Sequence, residues 1–195
     1  EENDFESLGK VGQALKGQLA FMRHPEFQVY VNVPKLQETF GDFERAYRAT
    51  SKHEIGHRFC PYDKVTAFFL ARKAEQGLRE GNTKKAPKSL APEVMNLFTD
   101  TCINTKPVRD GDEDLPWAYQ ELSKAEKRQQ SALWRVYMHS YELVWNTKIL
   151  PAGVVLSEQE KVAAREISSL FSDKNPLEKG LWEDNIKSYA KIIAP

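Results

Sequence analysis

Two histidines four residues apart, His53 and His57, stand in a segment where Phe43, Ala46, Tyr47, Thr50, His53 and His57 recur at intervals of three and four. That periodicity predicts an amphipathic helix over 43–59 with both imidazoles turned toward its apolar face. Residues four apart on a helix lie one above the other, so both rings can reach a single Zn²⁺ at about 2.0–2.1 Å. Glu54 falls between them in the run His53-Glu54-Ile55-Gly56-His57. Its carboxylate would flank such a metal, placed to take a proton from a bound water without being a ligand. A helix that carries metal ligands must present them inward, which limits how this segment can pack.

The surrounding residues, Thr50-Ser51-Lys52-His53-Glu54-Ile55-Gly56-His57-Arg58-Phe59, resemble the extended zincin pattern. That pattern has Thr or Val three positions before the first histidine, uncharged residues inside and a hydrophobic residue two after the second; the charged Arg58 departs from it. The resemblance implies a zinc-dependent metallopeptidase with His53 and His57 as ligands and Glu54 as general base. It also directs attention downstream, because in the gluzincin group the third ligand is an acidic residue on a later helix. The segment Asn96-Leu97-Phe98-Thr99-Asp100-Thr101-Cys102-Ile103-Asn104 resembles that helix, with Asp where the group usually has Glu. Asp100 would then complete a His-His-Asp site, with Asn96 or Asn104 orienting it or a histidine. Asp is one methylene shorter than Glu, so the two helices must approach more closely. Glu93, Asp63 and the acidic run over 110–114 are the alternative third ligands, and Asp100 as a plain solvated or capping residue is the bland one.

Composition narrows the class. A chain of 195 residues, 41% hydrophobic and 11% aromatic, can bury a proper core and reads as one globular domain. Formal net charge is zero, which gives no reason to expect nucleic acid or an anionic membrane as partner. No apolar run approaches the roughly 18 residues of a spanning helix, and the N-terminus is unlike a secretory signal. A cytoplasmic protein acting on a peptide or protein substrate is the expectation. The chain starts without Met, as a fragment of a longer protein would. Two cysteines, Cys60 and Cys102, are too few for a disulfide framework. They read as buried thiols, as a bridge between the two ligand segments, or, for Cys60, as a further metal ligand.

Along the chain, the opening segment to about Met22 is weakly helical, and Phe27 to Val33 alternates as the one convincing strand, limited by Pro34. After the histidine helix, Cys60-Pro61-Tyr62-Asp63 reads as a turn. A helix over 64–78 comes next with Val65, Phe68 and Phe69 inward, then an exposed loop over 77–89. The Asp100 helix opens at Ala91-Pro92-Glu93 and closes within Asn104 to Pro107. The run Asp110-Gly111-Asp112-Glu113-Asp114 reads as a mobile loop. Capping-box spacings at Ser123-x-x-Glu126 and Ser157-x-x-Glu160 mark helices over 123–146 and 157–171, and a last helix spans 177–193. The expected architecture is α+β, predominantly α-helical and zincin-like, with a small sheet above the HExxH ligand helix. It forms one domain over 1–195, with a ligand-bearing core over 1–110 and a helical C-terminal part over 115–195.

In that C-terminal part, Trp134, Tyr137, His139, Tyr141 and Trp145 form an aromatic set whose default meaning is packing. Peptide hydrolysis develops negative charge on the attacked oxygen, and zincins often add a Tyr or His donor there. His139 is the candidate for that catalytic role, with Tyr137 and Tyr141 beside it. By resemblance to self-inhibited minimal gluzincins, the last helix is also a candidate flap over the cleft. Two other classes compete with a peptidase: a zinc-binding scaffold whose site is closed, and a helical interaction module without metal.

Overall fold

The computed structural model describes residues 17–23, 26–61, 63–81, 90–124, 131–172 and 175–194. It is predominantly helical with a small two-stranded sheet. The elements run β1 (Ala20–Arg23), β2 (Gln28–Val31), α1 (Val33–Thr39), α2 (Phe43–Gly56), α3 (Lys64–Gly81), α4 (Leu90–Arg109), α5 (Asp114–Ser123), α6 (Ala132–Trp145), α7 (Glu158–Ser169) and α8 (Trp182–Ile192).

The expected strand is present as β2, but its partner lies in the stretch read as weakly helical. β1 pairs with it antiparallel, Ala20 opposite Val31 and Met22 opposite Val29. The earlier glycines of that stretch, Gly9 and Gly12, lie outside the described residues, as do Tyr62, Glu126 and residues 82–89 of the expected loop. Asn32 locks the sheet to α1. Its main-chain N–H donates to Leu19 O at 2.8 Å, and its side chain donates to Gln18 O and caps α1 by accepting from Lys35 N–H. Pro34 sits in the first turn of α1, where its missing N–H costs nothing.

Helix α4 is the axis of the molecule. Ala91, Val94, Phe98, Thr101, Cys102 and Asn104 are among its buried residues, and α2, α3, α5, α6 and α8 all pack on it. A helix buried on most sides needs its polar groups satisfied internally. Thr101 Oγ1 donates to Leu97 O, and Trp145 Nε1 donates to Thr105 Oγ1. The helix does not close at 104–107 as expected but runs through Pro107 to Arg109. Proline removes one bond to the preceding turn, and the tightly packed helix continues past it until Gly111, at φ 97°, turns the chain.

Three further expectations are corrected. Val65, Phe68 and Phe69 of α3 point outward rather than inward; the buried stripe is Leu70, Ala74, Gly77 and Leu78. Gly77 and Gly81 let α8 come against the main chain of α3. Helix α8 is therefore core structure, with Trp182, Ile186 and Tyr189 buried, and not a flap. Ser123 ends α5 instead of opening a long helix, and Ser131 caps α6. The second capping box, Ser157 with Glu160, is formed in both directions.

The acidic run is no mobile loop. Asp112 Oδ1 accepts from the N–H groups of Asp114 and Leu115, which starts α5. The Asp114 carboxylate accepts from Arg45 Nε at 3.2 Å and Arg48 Nε at 3.0 Å and pairs with Lys52 Nζ at 3.3 Å. These three cations lie on successive turns of α2, so a single carboxylate clamps α5 along the histidine helix. Hydrogen bonding to Arg48, with Lys52 beside it, lowers the Asp114 pKa to about 2. A depressed carboxyl pKa adds stability that is present above the unfolded value of about 3.9 and is lost as pH falls through the folded value. Asp114→Asn should lower Tm by roughly 2–4 °C at pH 7. The gap between variant and wild type should close as pH falls from about 4 to about 2; a gap independent of pH would contradict the clamp.

Candidate metal centre

Helix α2 is amphipathic as its spacing predicts, but it ends at Gly56 rather than Phe59, with His57 as its C-cap, and only part of the expected face is covered. Ala46 and Ala49 pack with Leu36, Phe40, Leu115 and Ala118, whereas Tyr47 is exposed. His53 and His57 end up half-buried between α2 and α4, their ring centroids 5.0 Å apart. Asp100 faces them from α4: its Oδ1 lies 3.9 Å from His53 Nε2 and 3.6 Å from His57 Nε2. Among the described residues, these three are the group whose ligand atoms converge, all within 4.8 Å of one another.

Do these residues fit a zinc ion? Tetrahedral bonds of about 2.0–2.1 Å put donor atoms about 3.3–3.4 Å apart; the 3.6 Å contact to His57 is close to that, and the 3.9 Å contact to His53 must shorten by about half an ångström, within the reach of side-chain rotation. The tautomers fit as well. His53 Nδ1–H donates to Asn104 Oδ1 at 2.9 Å, and His57 Nδ1 lies 3.4 Å from Cys60 O. Amide and carbonyl oxygens only accept, so each ring places a proton on Nδ1, which leaves Nε2, on the side of Asp100, as the nitrogen that a cation would take. Asn104 is itself fixed, because its Nδ2 donates to Tyr119 OH at 2.8 Å and to Tyr141 OH at 3.1 Å. Tyr141 OH in turn is bonded to Tyr137 OH at 2.6 Å. Of the two asparagines considered, Asn104 orients a histidine, while Asn96 is exposed at the edge of the cleft.

Gly56 sets the distance. A Cβ at that position would stand 2.8 Å from the Cβ of Ile103, one turn beyond Asp100 on α4. The missing side chain inside the motif lets α2 and α4 come close enough for the short Asp100 side chain to reach both imidazoles.

Glu54 is 7% exposed, with its carboxylate accepting from the main-chain N–H of Met22 on β1. Burial, together with the Asp100 charge, raises the Glu54 pKa against the opposing pull of His53 and Met22. Burial also raises Asp100, partly offset by His53. For His53, burial works against protonation, yet Asp100, Glu54 and Asn104 outweigh it and the pKa is raised. For both carboxyls burial is the leading cause, and a cation held beside them would offset its cost.

A cleft of about 390 Å³ opens over the triad, lined in part by Gln18, Ala20, Met22, Met95, Asn96 and Thr99. Because Met22 N–H is turned to Glu54, strand alternation turns the main-chain groups of Ala20 and Met22 away from β2 and toward this cleft.

The remaining sequence candidates are placed elsewhere. His139 does not line the cleft; its Nδ1 bonds Glu142 Oε2 at 2.7 Å, and Glu142 Oε1 accepts from Ile149 and Leu150 N–H. Tyr137 and Tyr141 are buried behind His53. Asp63 caps α3 through Thr66, Glu93 is exposed, and Asp110 pairs with Lys106. Cys60 and Cys102 are buried free thiols. Cys60 serves the site through its carbonyl, and burial pushes the Cys102 thiol well up.

No protein-family model, curated protein or solved structure matches the chain. The reading of the site therefore rests on its own geometry. Gly56→Ala and Asn104→Ala should each lower zinc affinity by about 10–100-fold, measured by competition with a chromophoric chelator. Unchanged affinity in both folded variants would contradict the assigned roles.

Proposed function

We propose that this chain is a zinc-dependent metallopeptidase of zincin type, with His53, His57 and Asp100 as ligands and Glu54 as general base. The observation that carries the reading is the convergence of two Nε2 atoms on one Asp100 oxygen, with both Nδ1 atoms turned to acceptors. Three protein donors would leave a bound zinc open to a reacting partner, as in catalytic sites and unlike closed structural ones. Zinc, when held there, supplies Lewis-acid polarisation of a carbonyl and acidifies a water.

The chain's own residues account for the rest. Glu54 adjoins the triad, so its carboxylate accepts the proton of the attacking water and passes it to the leaving nitrogen. The Met22 N–H holds that carboxylate in place. The edge of β1 that no other described strand pairs with offers the Ala20 main chain and the Met22 carbonyl to an extended peptide, which supports the zincin-like arrangement of a small sheet above the ligand helix. His139 has no part in this mechanism. No helix among the described residues is long and apolar enough to cross a membrane. We place the protein in the cytoplasm, where thiols such as Cys60 and Cys102 stay reduced.

One observation favours a second reading. Glu54 is nearly buried and already engaged by Met22, as in a zinc-binding scaffold whose site is silent or self-inhibited. Glu54→Gln separates the two. Under the peptidase reading it lowers hydrolysis of a peptide library by at least about 10²-fold while zinc content stays the same. Hydrolysis at the wild-type rate in the variant would remove Glu54 from its role, and a zinc-loaded wild type without hydrolysis would favour the scaffold.

A further inference from the structure

Helix α3 has two apolar faces, and only one of them is buried. Leu70, Ala74, Gly77 and Leu78 pack against α4 and α8. On the opposite side, Val65, Phe68 and Phe69 recur at three and four residues and are 64%, 58% and 55% exposed. The two phenylalanine rings meet edge to face with centroids 5.9 Å apart, and the Arg72 guanidinium stands over the Phe68 ring. The chain's net charge is zero, but it is unevenly spread: 64–73 carries Lys64, Arg72 and Lys73 and no carboxylate. Lys73 pairs with Glu183 of α8 at 3.1 Å, whereas Lys64 and Arg72 form no ion pair with the described residues. The acid just before the stripe, Asp63, is engaged in capping α3, accepting from Thr66 N–H at 2.7 Å and Thr66 Oγ1 at 3.2 Å. The segment leading into α3 carries two more exposed residues of the same kinds, Arg58 and Phe59.

We propose that this face of α3 binds an anionic lipid surface, with Val65, Phe68 and Phe69 in the headgroup layer and Lys64 and Arg72 against the lipid phosphates and carboxylates. The inference stands apart from the metal centre. Charge and shape decide the occupant. A second copy seated on this face about a two-fold axis would set a cationic patch against itself, and like charges across an interface oppose docking. A peptide is held by a groove, and these side chains stand on the outside of a helix and do not line the cleft over the triad. An anionic surface gains from both halves of the face. Apolar rings enter the boundary between headgroups and acyl chains, and the basic side chains beside them stay at the surface. The cytoplasmic leaflet carries such lipids. Because the other face of α3 is core, the helix does not detach to bind; it brings the whole domain to the surface.

The test is sedimentation of the full chain with vesicles of phosphatidylcholine alone and of phosphatidylcholine with one third phosphatidylserine. Partition should be at least about tenfold higher onto the serine-containing vesicles and should fall toward the phosphatidylcholine value in about 0.5 M salt. Arg72→Glu should lower it by at least about fivefold, and Phe68→Ser with Phe69→Ser by at least about tenfold. Both variants change exposed residues, and circular dichroism should show unchanged helical content. Val162→Ser, at an exposed apolar residue of α7, should leave partition as it is. No partition, equal partition onto both vesicles, or an equal loss in the Val162 variant would overturn the proposal. So would a lipid-free dimer that the double phenylalanine variant abolishes while vesicle binding is absent, which would make the face a contact between copies.

Discussion

The close crossing of α2 and α4 at Gly56 and Ile103 is the constraint on which the rest depends. Gly56 is the last residue of α2, where glycine costs less than the roughly 1 kcal/mol it costs in a helix interior. Here the position has no room for a methyl group against Ile103. The short Asp100 side chain and the missing Gly56 side chain are complementary: a longer acid would tolerate a wider gap, and a bulkier residue at 56 would demand one. The two imidazoles, the carboxylate and the buried Glu54 are then brought together by helix packing rather than by a loop.

Two polar systems hold that crossing from opposite ends. Behind the histidines, Asn104 ties His53 to the hydroxyls of Tyr119 and Tyr141, and so couples α2 to α4, α5 and α6. Such a network is stabilising only when every member is satisfied, and its two buried members, Asn104 and Tyr141, both have partners. At the start of α5, Asp114 gathers Arg45, Arg48 and Lys52. Exposed pairs contribute little singly; here one largely shielded carboxylate serves three cations, and the result fixes the position of a whole helix. That helix forms one wall of an apolar cleft beside Glu54.

Much of this was legible in the sequence, and what was not has physical reasons. The histidine helix, its i, i+4 ligand spacing, Asp100 on a later helix and the Ser157 capping box all depend on local periodicity, and local periodicity survives folding. Strand β1 was hidden because Ala20, Phe21 and Met22 show no alternation, and a short strand is made by its partner. The inward reading of Val65, Phe68 and Phe69 chose the more apolar of two stripes, whereas packing against α8 selected the one with small residues, Ala74 and Gly77. The acidic run looked like a loop because its charges suggest solvation; their partners on α2 lie more than 60 positions earlier in the chain. Helix α5 did carry a readable signal in Leu115, Ala118, Tyr119 and Leu122, with Asp112 as its start. His139 could not be separated from Tyr137 and Tyr141 by spacing, since which face of α6 meets the site is decided in three dimensions. The roles of Met22 N–H and of the Tyr119 and Tyr141 hydroxyls left no trace in the sequence at all.

The most direct test of the metal centre is zinc stoichiometry by elemental analysis on the wild type, His57→Ala and Asp100→Ala after equilibration with zinc and removal of excess ion. The account predicts one zinc per wild-type chain and none retained by either variant, with helical content unchanged. No zinc on the wild type, or equal retention in all three, would contradict it.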